Sequence, residues 1–341
     1  MIISSNVYLK GLSIHRISGS ELIASQNGIS IQDEFLKDVL VKYFFQSLKD
    51  DQRFRFTLED SLEQNQVFGS IASIFENPAL LHEKSLDLAH HLLEVSNNSN
   101  IKDGDFIAVY FEDCVLDDEI VEVIGLFKAE KKDTFLKIYP QDKEFGLETD
   151  KGININKLDK GALIFNTEKE NGYVVVALDN TNKTNAAQYW QDDFLKLQPL
   201  KNEYYKTQQL VHLCQDFIGT AVPVEDKTGK IALFNSSMEY MKTNDTFSHE
   251  QYKEQVLQEP ELIASYESFR TEQSEENEVL ETEEVEISKP ALKKSKKFIR
   301  SVIKLDKNFH VYVHGNRENI QKGFDDDKQK RYYKLYFEEE A

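Results

Sequence analysis

Residues 152–199 read GININKLDKGALIFNTEKENGYVVVALDNTNKTNAAQYWQDDFLKLQP, and this stretch decides the fold. Ala162–Phe165 and Tyr173–Leu178 are short apolar runs rich in β-formers, joined by a polar segment containing Gly172. That pattern predicts an antiparallel pair of buried strands. The period then changes. From Ala186 onward Tyr189, Trp190, Phe194 and Leu197 recur at helical spacing and Pro199 ends the run, which places Trp190 on a buried helical stripe.

Working outward toward the N-terminus, Val7–Ile14 alternates as a strand, and Glu21–Ala24 returns beside it across Ser18–Ser20. Ser30 reads as a helix N-cap with Asp33 as its capping-box acid, opening a helix that buries Leu36, Val39, Leu40, Tyr43 and Phe44. A second helix is expected over Leu58–Ile74. A third is expected from the Asn77–Pro78 cap to Val95. Within it His90 and His91 fall on adjacent faces, one packed and one solvated. Phe106–Leu116 and Ile120–Phe127 are two strong strands, and Thr134–Tyr139 continues the meander. The expectation is a sheet of about five strands with the early helices against one face.

Toward the C-terminus, helices are expected over Tyr204–Phe217, Lys227–Met241, His249–Leu257 and Glu261–Phe269. Eight Glu and no base then fill residues 272–286, which reads as an acidic linker. From Lys289 to Lys334 there are fourteen Lys and Arg against five acids, a local balance of +9, before three terminal Glu. The whole chain of 341 residues carries −19, so residues 1–288 hold −25. The protein is acidic in its body and basic in its tail. The fold class is therefore α+β: an antiparallel sheet with packed helices over 1–183, a helical middle over 184–271, the linker over 272–287 and a small, basic, strand-rich C-terminal module over 288–341.

The segment NINKLDKGALIF at Asn154–Phe165, the run AAQYWQDDFL at Ala186–Leu195 and the helix through Gln208, Asp216, Phe217, Ile218 and Gly219 resemble the 37-kilodalton nucleoid-associated protein family of bacteria. The resemblance in length and layout covers nearly the whole chain. It implies a cytoplasmic, bacterial protein found with the chromosome, DNA-binding and non-enzymatic, and it brings no catalytic residues.

The residues bear on that implication in several ways. No apolar run approaches the roughly 18 residues of a membrane span, so no membrane partner is expected. The N-terminus lacks a basic segment followed by an apolar block, which argues against a signal peptide. Cys114 and Cys214 sit in apolar surroundings and read as buried, reduced thiols of a cytoplasmic protein. No metal-ligand set, phosphate loop or nucleophile–base pair stands out, and no cofactor is called for. His310, Tyr312 and His314 share a strand face but lack a further ligand. One enzymatic pattern remains as an alternative: Asp118 followed by Glu130–Lys131–Lys132 fits the loose arrangement of a metal-dependent nuclease.

Nonspecific DNA affinity comes from cations that neutralise phosphates. The expected DNA-binding residues are Lys293, Lys294, Lys296, Lys297 and Arg300 on a short helix, with Lys328, Lys330 and Arg331 reinforcing them from a final hairpin. The expected partner is double-stranded DNA read with weak sequence preference, and a homo-oligomer is compatible with the sequence. Basic residues interleaved with Tyr and His suit a nucleic-acid surface. The same tail also suits an adaptor that binds acidic surfaces, its own body included.

Overall fold

A computed structural model describes every residue except 1, 5, 49–51, 58–60, 97–101, 143, 182–188, 223–226, 274–277, 296–301, 306–308, 313–319, 338 and 340–341. The chain divides into two compact units, residues 1–200 and 201–341.

The first unit is built on strands β1 (Ile2–Ile3), β2 (Tyr8–Ser18), β3 (Glu21–Ala24), β4 (Phe54–Phe56), β5 (Gly104–Leu116), β6 (Glu119–Ala129), β7 (Asp133–Gln141), β8 (Glu144–Gly152), β9 (Lys160–Phe165), β10 (Val174–Asp179) and β11 (Leu197–Pro199). Its helices are α1 (Glu34–Phe45), α2 (Gln66–Glu76) and α3 (Leu81–Val95). Nine of the strands form one antiparallel sheet in the order β11-β4-β10-β9-β6-β5-β2-β3, with β1 also on β5.

The sheet is wider than the five strands expected, and helices cover both of its faces. The reason lies in β5, where Phe106 to Phe111 is buried without interruption. Side chains alternate across a strand, so a continuous apolar run needs cover on each side. Phe106, Ala108 and Tyr110 pack with Ile71, Leu88 and Leu92 of α2 and α3. Ile107, Val109 and Phe111 pack with Tyr43, Phe44 and Phe45 of α1, and Phe44 stacks on Phe127 of β6 at 4.1 Å.

Several local expectations change for identifiable reasons. Asp33, not Ser30, caps α1, its carboxylate accepting from the Phe35 and Leu36 amides. Leu36 is consequently exposed, and the last turn of the helix makes the packing. The second helix begins at Gln66 because Asn65 caps it, accepting from the Val67 and Phe68 amides. The His pair behaves as expected: His90 is exposed and His91 is half-buried against Phe194.

β9 and β10 pair as the opening stretch predicts, from Val174↔Phe165 to Asp179↔Lys160. Their connection ends in Gly172 at φ +96°, where a Cβ would lie 2.4 Å from the Phe56 carbonyl oxygen. Only glycine lets this turn approach β4 so closely. Among the described residues of the segment after it, the expected helical run from Trp190 to Leu197 is not an α-helix. Trp190–Leu195 forms a single π-helical turn, closed by Lys196 in the left-handed region. The turn carries the chain into β11 on the sheet edge, so the first unit extends beyond residue 183. Trp190 is fully buried, 5.0 Å from Phe194, and its Nε1 donates to the Gly161 carbonyl at 3.4 Å.

Thr134–Tyr139 does not extend the main sheet either. β6 pairs directly with β9, and β7 and β8 form a separate two-stranded ribbon between them in sequence.

The second unit contains α4 (Glu203–Ala221), α5 (Lys227–Thr243), β12 (Thr246–Ser248), α6 (His249–Tyr252), α7 (Pro260–Gln273), α8 (Glu278–Glu281), β13 (Glu284–Glu286), α9 (Lys289–Ser295), β14 (Val302–Leu305), β15 (Phe309–Tyr312), β16 (Ile320–Asp325) and β17 (Lys330–Leu335). Its core gathers Leu210, Cys214, Phe217, Met238, Met241, Phe247, Tyr252 and Tyr266. The acidic stretch 272–287, expected as a linker, contributes Val279, Leu280, Val285 and Ile287 to that same core. β13 pairs with β12, and Arg270 donates to the Leu280 carbonyl at 2.7 Å and to Glu283 at 2.9 Å. Four apolar residues at the right places outweigh a high acidic content, because the Glu side chains between them face solvent.

Candidate nucleic-acid interface

α9 opens the basic tail. It follows β13 directly and buries Ala291, Leu292 and Ser295 against the second unit's core, which leaves Lys293 on the exposed side. Lys289 is held in place, its Nζ donating to the Lys242 carbonyl at 3.0 Å and lying 3.2 Å from Asp245. Lys294 belongs to the helix as well. Lys296, Lys297 and Arg300 lie outside the described residues, as does His314.

The last hairpin, β16–β17, pairs Ile320↔Leu335 through Asp325↔Lys330. This register puts Lys330, Tyr332 and Lys334 on one face and Arg331, Tyr333 and Leu335 on the other. Lys330, Arg331, Tyr332 and Lys334 are all exposed. Tyr332 lies across Gly323, where a Cβ would meet its Cζ at 2.3 Å. Lys334 Nζ sits 5.1 Å from the ring centre of Tyr336. The result is an alternating row of cations and flat rings, which can neutralise phosphates and stack on sugars or bases. Lys328 stands at the turn, its backbone N–H bonded to Asp325 Oδ1 at 3.0 Å and its ammonium 3.6 Å from the same carboxylate. Its charge is thereby partly offset.

A second charged constellation lies in the first unit, and sequence reasoning missed it. Its centre is Asp159–Lys160 within Asn154–Phe165. Lys128 and Lys160 are completely buried. Lys128 Nζ donates to the Lys102 carbonyl at 2.8 Å and to the Tyr189 hydroxyl at 3.0 Å, and Tyr189 donates onward to Glu130 Oε1 at 3.2 Å. Lys160 Nζ donates to both Asp179 oxygens at 2.7 Å and to the Thr181 hydroxyl. Asp159 accepts from the Glu130 and Lys131 amides, each at 2.8 Å. Burial pulls the Lys128 ammonium below its usual pKa, opposed by Glu130, and burial also pushes the Tyr189 phenol well up. Two buried cations answer two buried carboxylates, so the cluster ties the end of β6, the start of β9, the end of β10 and the Trp190 turn into one unit. The sequence signal was available: two lysines and two acids flank apolar strands where a buried sheet leaves no solvent.

A family model described as nucleoid-associated protein YejK matches residues 20–331. The chain belongs to this family. No curated protein matches it.

The match spans both units of this YejK-family chain, from the β2–β3 turn to Arg331, so the buried cluster falls inside the family's extent and the basic hairpin does so as far as Arg331. The nuclease alternative fares differently. Asp118 lies in the β5–β6 turn and Glu130 just beyond the far end of β6, eleven residues long, which separates them by roughly 35 Å. Glu130 is engaged with Lys128 and Tyr189, and Lys132 pairs with Asp105 at 3.1 Å. The fold does not bring the three residues together. Among the described residues no group of three or more His, Cys, Asp or Glu is placed to hold a metal ion. Cys114 and Cys214 are both buried, and burial pushes each thiol up to about 12. Among the described residues no helix is long and apolar enough to cross a membrane.

Proposed function

We propose that this YejK-family protein is a non-catalytic, cytoplasmic DNA-binding protein of the bacterial nucleoid. In this reading it holds double-stranded DNA with weak sequence preference through its basic C-terminal segment. The observation that carries the reading is the segregation of charge: +9 between Lys289 and Lys334 against −25 over residues 1–288. The exposed cation and ring row of β17 supports it further. An acidic body repels a duplex, so affinity has to come from the tail.

Lys293, Lys294, Lys296, Lys297 and Arg300 would meet phosphates from one side of the tail, and Lys328, Lys330 and Arg331 from the other. The absence of catalysis in this proposal is supported by the separation of Asp118 from Glu130. The test is fluorescence anisotropy of the full chain on a duplex at several salt concentrations. Changing Lys293, Lys294, Lys296 and Lys297 to Gln is expected to weaken binding to all sequences alike, and to flatten the slope of log affinity against log salt by about 0.9 for each phosphate no longer neutralised. Unchanged affinity and slope would move the interface elsewhere. The charge segregation also favours a second reading, an adaptor whose basic tail binds acidic surfaces. An absence of DNA binding at low salt would leave that reading in its place.

A further inference from the structure

Asn followed by Gly occurs twice in the chain, at Asn27–Gly28 and Asn171–Gly172. The dipeptide carries a reaction of its own, because glycine has no side chain to keep its nitrogen away from the asparagine amide. The two copies sit in opposite surroundings.

Asn171 ends the short helical turn Lys169–Asn171, whose backbone is fully engaged. Its own N–H donates to the Glu168 carbonyl at 2.9 Å, and the Gly172 N–H donates to the Lys169 carbonyl at 3.0 Å. The Gly172 carbonyl accepts the Phe56 N–H at 2.9 Å, and the glycine is buried against β4. Before the Gly172 nitrogen can attack anything, it has to give up its bond and the turn has to leave the sheet.

Asn27 and Gly28 are exposed in the loop between β3 and α1. Among the described residues the Gly28 N–H meets no acceptor. Ser25 Oγ donates to the Asn27 carbonyl at 2.6 Å. That carbonyl shares a peptide unit with the Gly28 nitrogen, and it takes up the negative charge when this nitrogen loses its proton. A donor already in place stabilises the charge, as in an oxyanion hole. The nucleophile therefore has no competing partner and a neighbour that favours its formation.

We propose that Asn27 is a deamidation site of the folded protein, converted there to isoaspartate, and that its turn protects Asn171 from the same reaction. The Gly28 N–H gives its proton to water, and the nitrogen lone pair forms a bond to Asn27 Cγ. The Cγ–Nδ2 bond breaks and Nδ2 takes a proton to leave as ammonia. Water then adds to one carbonyl of the resulting cyclic imide, opening it to isoaspartate or aspartate. Ammonia leaves, water enters, and nothing is oxidised or reduced.

The consequence is local. The loop is tied to β2 on either side of the site, by the Ser25 N–H on His15 Nδ1 at 3.3 Å and by the Ile29 N–H on the Leu12 carbonyl at 2.7 Å. Isoaspartate lengthens the main chain between these anchors by a methylene and adds a carboxylate, so the loop loosens where it leads into α1. None of this rests on DNA binding.

The experiment ages the full chain in physiological buffer beside a urea-unfolded sample. Each site is followed by peptide mapping and by methyl transfer from S-adenosylmethionine with a protein isoaspartyl methyltransferase. In the folded chain Asn27 is expected to react at least about tenfold faster than Asn171, which corresponds to an opening cost of about 1.4 kcal/mol at the second turn. In urea the two rates should converge. Gly28→Ala is expected to suppress the reaction at Asn27 and still fold. Its φ lies outside the left-handed region, and a Cβ there meets only the Leu12 oxygen at 3.4 Å and His82 Cβ at 3.9 Å. Ser25→Ala keeps the backbone bond to His15 and should slow the reaction about fivefold, through loss of one charge-assisted bond. Hydrogen exchange at the Ser25 and Ile29 amides should quicken once isoaspartate has formed, and unchanged exchange would overturn the loosening. Equal rates at Asn27 and Asn171 in the folded chain overturn the proposal as a whole. So does a rate at Asn27 that Ser25→Ala leaves unchanged, since the dipeptide alone would then set it.

Discussion

The ammonium of Lys160 lies 2.7 Å from both carboxylate oxygens of Asp179, with no solvent access to the lysine side chain and almost none to the acid. The two residues are cross-strand partners at the open end of the β9–β10 pair. Thr181 supplies a further bond to the ammonium, and Asp179 also accepts from the Thr181 amide at 3.0 Å. Removing one partner from such a pair strands a charge in a poorly solvated place. Lys160→Met is therefore expected to destabilise the first unit by about 3–5 kcal/mol. Lys160→Met with Asp179→Leu should recover a good part of that loss, since two apolar groups leave no charge unpaired. Urea unfolding of the single and double variants checks this. A single variant as stable as wild type would show that Asp179 has another source of charge compensation.

Trp190 belongs to the core that the sheet shares with α2 and α3, against Phe194 and the β9 backbone. Trp190→Ala should lower stability by about 3–5 kcal/mol, the range for truncating a large buried aromatic residue. Trp190 is the chain's only tryptophan, so its fluorescence reports unfolding of this unit in wild type. Circular dichroism serves for the variant. A melt coincident with wild type would contradict the buried placement.

A pH dependence follows from His15. It is buried between β2 and α3, where Nε2 bonds the Ser85 hydroxyl at 2.9 Å and Nδ1 accepts the Ser25 N–H at 3.3 Å. Burial, assisted by nearby His82 and His90, lowers its pKa from 6.5 to about 4. The folded state therefore holds this ring neutral, while the unfolded chain protonates it near its ordinary value. The contribution is intact above pH 6.5 and is lost as the pH falls toward 4, a loss of roughly 3 kcal/mol in full. The urea midpoint should fall through that window. His15→Gln should show a shallower fall over the same range, whatever its stability at neutral pH. Equal slopes for the two proteins would rule His15 out as the source.

On β17, Lys330 lies across from Asp325 and Lys334 across from Gln321. Lys330→Gln with Lys334→Gln is expected to reduce the salt slope of duplex binding by about 1.8, two phosphate contacts at about 0.9 each. Lys328→Gln should change it less, because Asp325 already sits beside that ammonium. Anisotropy titrations at graded salt distinguish the two. A larger effect from Lys328 would place the contact at the turn instead of along the strand.

How far the residues foretold the structure depended on the range of the interaction involved. The β9–β10 pair, the Asn77–Pro78 cap, the helices of the second unit and the final hairpin were legible, because each rests on alternation, capping or helical period within a dozen residues. The start of α1 was misplaced by a few positions because Ser30 and Asp33 are both good caps, and only the tertiary path selects between them. Of the DNA-binding residues expected in the tail, the structure bears on Lys293, Lys328, Lys330 and Arg331, all exposed. It brings the last two into register with Tyr332 and Lys334.

By itself the sequence determined the α+β class, the burial of Trp190, the division of charge between body and tail and the family resemblance that the family match supports. Each of these is local or compositional, and each survives without knowing which segments meet. The tertiary structure alone decided that the described residues form a nine-stranded sheet and that α1 covers the face opposite α2 and α3. It also decided that Glu130 meets Lys128 and Tyr189, that the acidic stretch 278–287 belongs to a core, and that β7–β8 stands apart with an exposed apolar face. These outcomes depend on pairings between residues distant in sequence, as with β6 on β9 or Lys160 within reach of Tyr189. Strand pairing of that kind is set by which buried faces and charges find complements across the whole fold, and no local pattern encodes it.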